Sequence, residues 1–254
     1  MDRQSPHPRE ARKRIGIIAG AGPEAGIDLW QKILDANKAL LGDAFQGDLD
    51  APDVSVFSVP QLGLAMDIEN NEEALWLVLR DAVRALAERV DIFCIACNVL
   101  HYYADRIAAL GLGAELVSIV DAVRGHLSAN NVNQVGLMSI GKVVQLGKWS
   151  PYAALRDQVA FETPADAEGL TRIVVDIKKS GADSAGVRQR FATILTSMRS
   201  EMVLLACTEL PLVAAPMPGE HLVPGKHLVD VTRLLAETVV RKSLGIGAYQ
   251  PSQP

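Results

Sequence analysis

Short apolar runs, many rich in β-branched residues, alternate with amphipathic helical patterns along this chain. The runs begin at positions 15, 54, 91, 115, 134, 202 and 221, and most have no polar face. Strands buried on both faces have this character, which is typical of parallel sheets. Helical patterns cover residues 72–90, 166–199 and 229–241. The alternation predicts an α/β fold with mostly parallel sheets.

Composition narrows the class of protein. The 254 residues, 49% hydrophobic and 22% charged, suffice for one large or two small globular domains. The net charge of −5, with Lys and Arg scattered, indicates neither a nucleic-acid groove nor a membrane-binding face. No apolar run approaches the roughly 18 residues of a membrane span.

Both the amino-terminal segment and the cysteines favour a cytoplasmic protein. Residues 1–14 are polar and basic, and no long apolar segment follows them, so we expect a disordered tail and not a signal peptide. Three cysteines without a secretory signal are typical of a cytoplasmic protein with free thiols.

A glycine-rich loop follows the first predicted strand. It reads "IIAGAGPEAG" and contains Gly20, Gly22 and Gly26. A dinucleotide fingerprint needs G-x-G-x-x-G, but here the last gap is one residue too long and Pro23 interrupts it. The loop therefore favours close approach of the backbone to a small anionic ligand over nucleotide binding. Glu24 lies near the start of the next helix, where the dipole favours a carboxylate.

One element occurs twice in the chain. The segments "DIFCIACNVLHYYAD" from position 91 and "EMVLLACTELPLVAA" from position 201 each place Ala-Cys, then Asn or Thr, at the end of an apolar strand. Cys97 and Cys207 are therefore equivalent points. Ligands bind outside the carboxyl ends of strands in open α/β sheets. Two half-chains that face each other would bring both thiols to one cleft.

Cys94 and His101 have more than one interpretation. Strand alternation points Cys94 and Cys97 to opposite faces, so a buried packing thiol is favoured over a redox pair. No second Cys/His pair has zinc-ligand spacing, so no metal site is predicted. His101 follows Cys97 by one helical turn, and it either fills a structural role or orients the thiol.

These motifs resemble the aspartate/glutamate racemase family from about Ile15 to Val240. The resemblance rests on "GIIAGAGPEAGIDLWQKI", "ACNVLHYYAD", "LLACTELPLV" and "LVDVTRLLAETVV". It implies two similar α/β domains with mostly parallel sheets, related by pseudo-two-fold symmetry, with the active site in the cleft between them. The domains would cover 15–115 plus 223–254, and 116–222, in a homodimer. It also implies that the enzyme uses no pyridoxal phosphate, metal or nucleotide.

By this resemblance Cys97 and Cys207 are the catalytic pair. One thiolate removes the proton from the substrate Cα, and the other thiol protonates the opposite face. The resemblance also implies a group of residues that bind a small-molecule carboxylate substrate: Ala21, Gly22, Gln61, Asn98, Val99, Ser139 and Thr208. His101 and Glu209 are supporting candidates, although Glu209 is equally explained as a helix-terminal charge.

The sequence departs from the family pattern around the substrate. Val99 replaces a threonine, and Ala21 and Gly26 replace a bulky residue and a threonine in the first loop. Gln61 is the polar group left where racemases of acidic amino acids tend to carry an arginine. A threonine-bearing loop after the strand at 134 is replaced by "SIGKVVQLGKW", in which Lys142 is a candidate to compensate.

The usual lysine after Gly181 is also missing, since Ala182 stands there. Lys178 and Lys179 lie before this glycine, and we expect them to face solvent. A second substrate carboxylate without a cation would be left unpaired. We therefore predict an amino-acid substrate with a neutral or different side chain, and weak or no activity on aspartate and glutamate. The alternatives are an isomerase or decarboxylase of a small carboxylic acid, and a non-catalytic binder.

Overall fold

The computed structural model describes residues 12–182, 184–214 and 223–247, and within this part the chain forms two four-stranded parallel sheets. The first sheet contains β1 (Ile15–Ala19), β2 (Val54–Ser58), β3 (Ile92–Ile95) and β4 (Glu115–Leu116). The second contains β5 (Gln134–Met138), β6 (Ala160–Glu162), β7 (Met202–Leu205) and β8 (His227–Asp230). We call the parts of the chain built on these sheets the first half and the second half.

Helices cover both sheets. They are α1 (Pro23–Leu41), α2 (Ile68–Ala87), α3 (Ala104–Ala108), α4 (Ile119–Ala129), α5 (Gly141–Val144), α6 (Ala167–Ser180), α7 (Ala185–Ser197), α8 (Leu210–Ala214) and α9 (Val231–Ser243). The central strands are almost wholly buried because they are apolar on both faces, as the sequence predicted.

The two sheets have the same topology, which confirms the predicted fold class. Their strand orders are β2-β1-β3-β4 and β6-β5-β7-β8. The equivalence extends to the end of the third strand in each sheet. The backbone N–H of Ala96 donates to the carbonyl of Ile18, and that of Ala206 donates to Met138, both at 2.8 Å. The residue before each repeated cysteine is thus fixed in the same way.

Three strands differ from the sequence prediction. The run at 115 forms only the two-residue β4, because the side chain of Ser118 accepts a hydrogen bond from Asp121 N and caps α4. The run at 221 begins outside the described residues, and the last strand is β8 instead. Short, partly exposed β6 was not predicted, since it lacks a continuous apolar run.

The chain crosses between the halves at its carboxyl-terminal end. Strand β8 pairs with β7 in the second sheet, although it follows the expected boundary at 222. Helix α9 then returns to pack against α1 and α4 of the first half, as the resemblance implied. The domain boundaries stay a prediction, and most of the predicted tail lies outside the described residues. No helix in the described part of the chain is both long and apolar enough to cross a membrane.

Candidate active site

The two repeated cysteines lie at the carboxyl ends of equivalent strands. Cys97 follows β3 and is partly exposed, whereas Cys207 follows β7 and is 8% exposed. The segments that carry them are in contact, because the hydroxyl oxygen of Thr208 lies 3.5 Å from the carbonyl oxygen of Ala96. The fold thus brings the predicted catalytic pair to one region between the halves.

A partly buried ion pair lies beside the cysteines. The ammonium of Lys178 donates to Oε1 of Glu209 and to the backbone carbonyl of Ala21 from the first half. The other carboxylate oxygen of Glu209 accepts from Cys207 Sγ at 3.1 Å and from the hydroxyl of Thr208 at 3.2 Å. Glu209 therefore contacts the second thiol directly and links it to a cation.

The environment of both cysteines disfavours the thiolate form. Burial, with a smaller contribution from the Glu209 carboxylate, raises the pKa of Cys97 to about 11, although backbone N–H groups and Lys178 oppose the shift. Burial and the same carboxylate raise the pKa of Cys207 well above the usual value. Burial alone would lower the pKa of Lys178, but attraction to Glu209 outweighs it and raises the pKa, so the ammonium stays charged.

Asn98 is oriented by an aromatic residue from the second half. The hydroxyl of Tyr152 donates to Oδ1 of Asn98, and both side chains are buried. The pKa of Tyr152 is raised by burial first and then by Cys207, so the phenol remains a donor. Within the described residues, Nδ2 of Asn98 is buried and has no hydrogen-bond partner. It is a donor that is suited to a carboxylate ligand.

Ser139 and Val99 are buried beside the cysteines. The hydroxyl of Ser139 donates to the carbonyl of Ala206 at 2.5 Å and is fully buried, so it supports the backbone beside Cys207. Val99 is 3% exposed and starts the 3₁₀ helix Val99–Tyr103.

The glycine loop brings backbone close to the ion pair. Gly20 has a φ of 108° and lies against the backbone of Val59, where a Cβ would approach within 2.4 Å. At Gly22 a Cβ would lie 2.3 Å from Oε1 of Glu209 and 2.9 Å from Nζ of Lys178. The glycine at this position leaves the space that the ion pair occupies.

Gly26 explains one departure from the family pattern. A Cβ there would lie 2.5 Å from the Cβ of Ala19, since α1 packs tightly onto β1. A threonine therefore does not fit at this position without a shift of the helix. Glu24 lies exposed in the first turn of α1, as predicted.

His101 has a structural environment. Its Nδ1 accepts from the backbone N–H of Ile119 at 3.4 Å, and Nε2 lies 3.3 Å from the carbonyl of Ile95. This pattern fits the neutral ring with its proton on Nε2. Burial lowers the pKa of His101 to about 4, which keeps the ring uncharged. The geometry therefore favours the structural alternative over a role in orienting the thiol.

Cys94 is the packing thiol that the sequence predicted. It is fully buried in β3, and its Sγ lies 3.5 Å from the carbonyl of Gly16. Burial raises its pKa to about 12. Cys94, Cys97 and Cys207 are all free thiols. Among the described residues, no group of three or more His, Cys, Asp or Glu side chains is arranged to hold a metal ion.

The remaining predicted polar groups lie farther out. Gln61 is exposed on the 3₁₀ helix Pro60–Asp67. Lys142 forms an ion pair with Glu69 across the two halves, and its ammonium lies 5.1 Å from the centre of the Trp149 ring. Because Lys142 already has these partners, the structure does not support its role in compensating for the missing threonine-bearing loop.

The expectation for Lys178 was wrong, and Tyr152 was missed. Lys178 lies on the line of α6 that Leu170 and Val174 share at intervals of four residues, so it points to the same side as the buried core. That periodicity is a signal that sequence reasoning could have used. Tyr152 belongs to a 3₁₀ helix without a recognisable motif, and only the tertiary structure places it beside Asn98.

The fold and these cysteine-bearing strand ends define a class of two-part, pseudo-symmetric α/β proteins. Residues 18–239 match the sequence model of the Asp/Glu/hydantoin racemase family. The match covers most of the chain, which therefore belongs to this family and is an isomerase of the amino-acid racemase type.

Several known proteins are similar to this chain. The broad specificity amino-acid racemase RacX of Bacillus subtilis is 21% identical over 238 residues, which is 93% of this chain and 99% of RacX. The structure of Picrophilus torridus aspartate racemase has a TM-score of 0.74 at 20% identity, covering 93% and 96% of the two chains. An aspartate racemase homologue from Pyrococcus horikoshii has a TM-score of 0.69 at 22% identity, covering 91% and 99%.

Proposed function

We propose that this protein racemises an amino acid with a neutral side chain by proton transfer between Cys97 and Cys207. The observation that carries the proposal is the pair of thiols at equivalent strand ends, both within the electrostatic reach of the Lys178 ammonium. Racemisation needs an acid and a base on opposite faces of one carbon, and two pseudo-symmetric half-sites supply them.

In both directions of the racemisation, each proton that one cysteine takes up is matched by one that the other cysteine donates. A thiolate at one cysteine takes the Cα proton and becomes a thiol, and the electron pair stays on the substrate as a carbanion. The other cysteine gives its proton to the opposite face and becomes a thiolate. The reverse reaction uses the same groups with exchanged roles, so no other acid or base is consumed.

The carbanion spreads its charge onto the substrate α-carboxylate. The unpartnered Nδ2 of Asn98 is suited to bind this group, since Tyr152 fixes the amide through the other atom. Thr208 lies at the matching point of the second half and is buried beside Cys207. Donors fixed where charge develops stabilise a transition state more than flexible water does.

The distribution of cations supports a neutral substrate side chain. Lys142 is paired with Glu69, and Lys148 is paired with Glu72. Gln61, which stands where an arginine would be expected by resemblance, is uncharged and exposed. A second substrate carboxylate would have to break an existing ion pair or remain unpaired. RacX is described as acting with broad specificity, which agrees with this proposal without identifying the substrate.

The test is Cα deuterium exchange in D₂O across a panel of neutral and acidic amino acids. We expect exchange on neutral amino acids, and a loss of about 10²-fold or more in Cys97→Ser and in Cys207→Ser, the usual range for removed acid–base groups. Cys94→Ala is the matched control and should retain exchange.

Two outcomes would contradict the proposal. Fast exchange on L- and D-aspartate that both cysteine variants abolish would overturn the specificity. No exchange on any amino acid would overturn the racemisation itself and favour a binder or another reaction on the same scaffold.

A further inference from the structure

The ammonium of Lys178 is bound by two acceptors from opposite halves. One is the backbone carbonyl oxygen of Ala21, and the other is Oε1 of Glu209. An ammonium group has three donors and no acceptor, so a carbonyl and a carboxylate together form a suitable site for it. In this structure the chain's own lysine fills that site.

The site lies next to the atoms that would exchange the substrate proton. Glu209 binds the ammonium through one oxygen and accepts from Cys207 Sγ through the other, at 3.1 Å. Space for the ammonium exists because residue 22 is glycine, where a Cβ would come within 2.9 Å of Nζ. The nitrogen of an α-amino acid is one bond from Cα. An amino acid whose nitrogen replaced Nζ would therefore place Cα close to the thiol.

We propose that the Ala21 carbonyl and the Glu209 carboxylate form the subsite for the substrate α-ammonium, which Lys178 occupies in the free protein and leaves when substrate binds. This inference rests on the proposed function, in which Asn98 takes the α-carboxylate. The ligand class is a free zwitterionic α-amino acid. An N-acylated amino acid, a hydroxy acid or a hydantoin ring lacks the required ammonium.

Exposure indicates which partner moves. The side chain of Lys178 is 22% exposed and that of Glu209 only 6% exposed, so the lysine lies on the open side and the carboxylate on the closed side. Replacement of one ammonium by another keeps the buried carboxylate paired. Removal of a partner without replacement would leave a buried charge, which is strongly unfavourable. The arrangement thus selects for ligands that bring their own positive charge.

Glycine is the sharpest probe, because it has no side chain and reports only on the two α-groups. Its dissociation constant is compared with those of glycolate and N-acetylglycine by calorimetric titration at mildly alkaline pH. In Lys178→Met, we expect glycine to bind about tenfold more tightly if the lysine-filled form is about 90% populated, since the competing group is gone. Glycolate binding should not change. In Glu209→Gln, glycine should bind no better than glycolate.

Lys179→Met is the matched control, since Lys179 is exposed on the same turn, and it should bind all three probes as the unaltered protein does. Lys178→Gln, which keeps the length but removes the charge, serves if Lys178→Met does not fold. Unchanged or weaker glycine binding in the Lys178 variants would overturn the inference. In particular, if glycine and glycolate both bound more weakly, Lys178 would be a residue that binds the carboxylate of the ligand.

The outcome is separable from that of the proposed function. Cα exchange on amino acids together with weaker glycine binding in Lys178→Met would keep the racemase and reject the subsite. Tighter glycine binding without exchange on any amino acid would keep the subsite and reject the racemase.

Discussion

Lys178 and Glu209 form an ion pair that connects the two halves of the molecule at the cysteines. The lysine reaches the carbonyl of Ala21 in the first half, and the glutamate reaches Sγ of Cys207 in the second. Lys178 interacts electrostatically with both thiols.

Gly22→Ala should damage the site more than the fold. The added Cβ would lie 2.3 Å from Oε1 of Glu209, so the ion pair must shift. Gly22 has an extended backbone that alanine adopts without strain. We expect Cα exchange to fall at least about tenfold, since small misplacements of catalytic groups carry large rate losses. Gly125→Ala in α4, where a Cβ meets nothing within 4 Å, is the control and should stabilise by about 0.5–1 kcal/mol. Equal activity of both variants would contradict the tight approach at Gly22.

Cα exchange should rise with pH through the neutral and alkaline range. The reactive form is a thiolate, and burial raises the pKa of Cys97 to about 11. Below this pKa the thiolate fraction grows about tenfold per pH unit, so kcat/KM should follow it. The folded protein holds these thiol protons more tightly than the unfolded chain, so its stability should decline as the pH rises from about 9 to about 11. A flat activity profile between neutral pH and about pH 9 would argue against a buried thiol as the base.

His101 should influence stability and not the activity profile. Burial lowers its pKa from 6.5 to about 4, so the unfolded chain takes up the proton first as the pH falls. The free energy of unfolding should therefore decrease between pH 6.5 and about pH 4. His101→Leu leaves the carbonyl of Ile95 and the N–H of Ile119 unpaired, which costs about 1–3 kcal/mol. It should remove the His101 contribution to this acid dependence, while His126, whose pKa is also lowered by burial, keeps its own. If the folded variant showed an altered pH–rate profile, His101 would instead have a role in orienting the thiol of Cys97.

Lys32→Met should destabilise the connection between the halves. Lys32 is 7% exposed, and its ammonium bonds to Asp28 and, at 2.7 Å, to Asp230. Without it both partly buried carboxylates lose their cation, for which we expect a loss of about 3 kcal/mol in denaturant unfolding. Lys38→Met is the control on the exposed side of α1, with an expected change within about 0.5 kcal/mol. Similar losses in the two variants would reject the special role of Lys32.

The fold was predictable from the sequence because its signal is local and repeated. Apolar strands, amphipathic helices and two copies of Ala-Cys determine the sheets and the location of the thiols. The residues that contact the thiols were harder to predict from the sequence. The expectation that Lys178 faces solvent overlooked its spacing from Val174, which matches the buried face of the helix. The contact of Tyr152 with Asn98 joins positions far apart in sequence, and no local pattern encodes it.

The return of α9 to the first half determines when that half can be completed on the ribosome. Domains generally fold as units during synthesis, with the amino-terminal one first. Here α9 packs against α1 and α4, and its last residue, Ser243, is hydrogen-bonded to the backbone of Lys13. The packing of α1 and α4 is therefore completed only after the end of the chain has been synthesised. Until the second half has emerged from the ribosome, the helices of the first half expose the faces that α9 later covers.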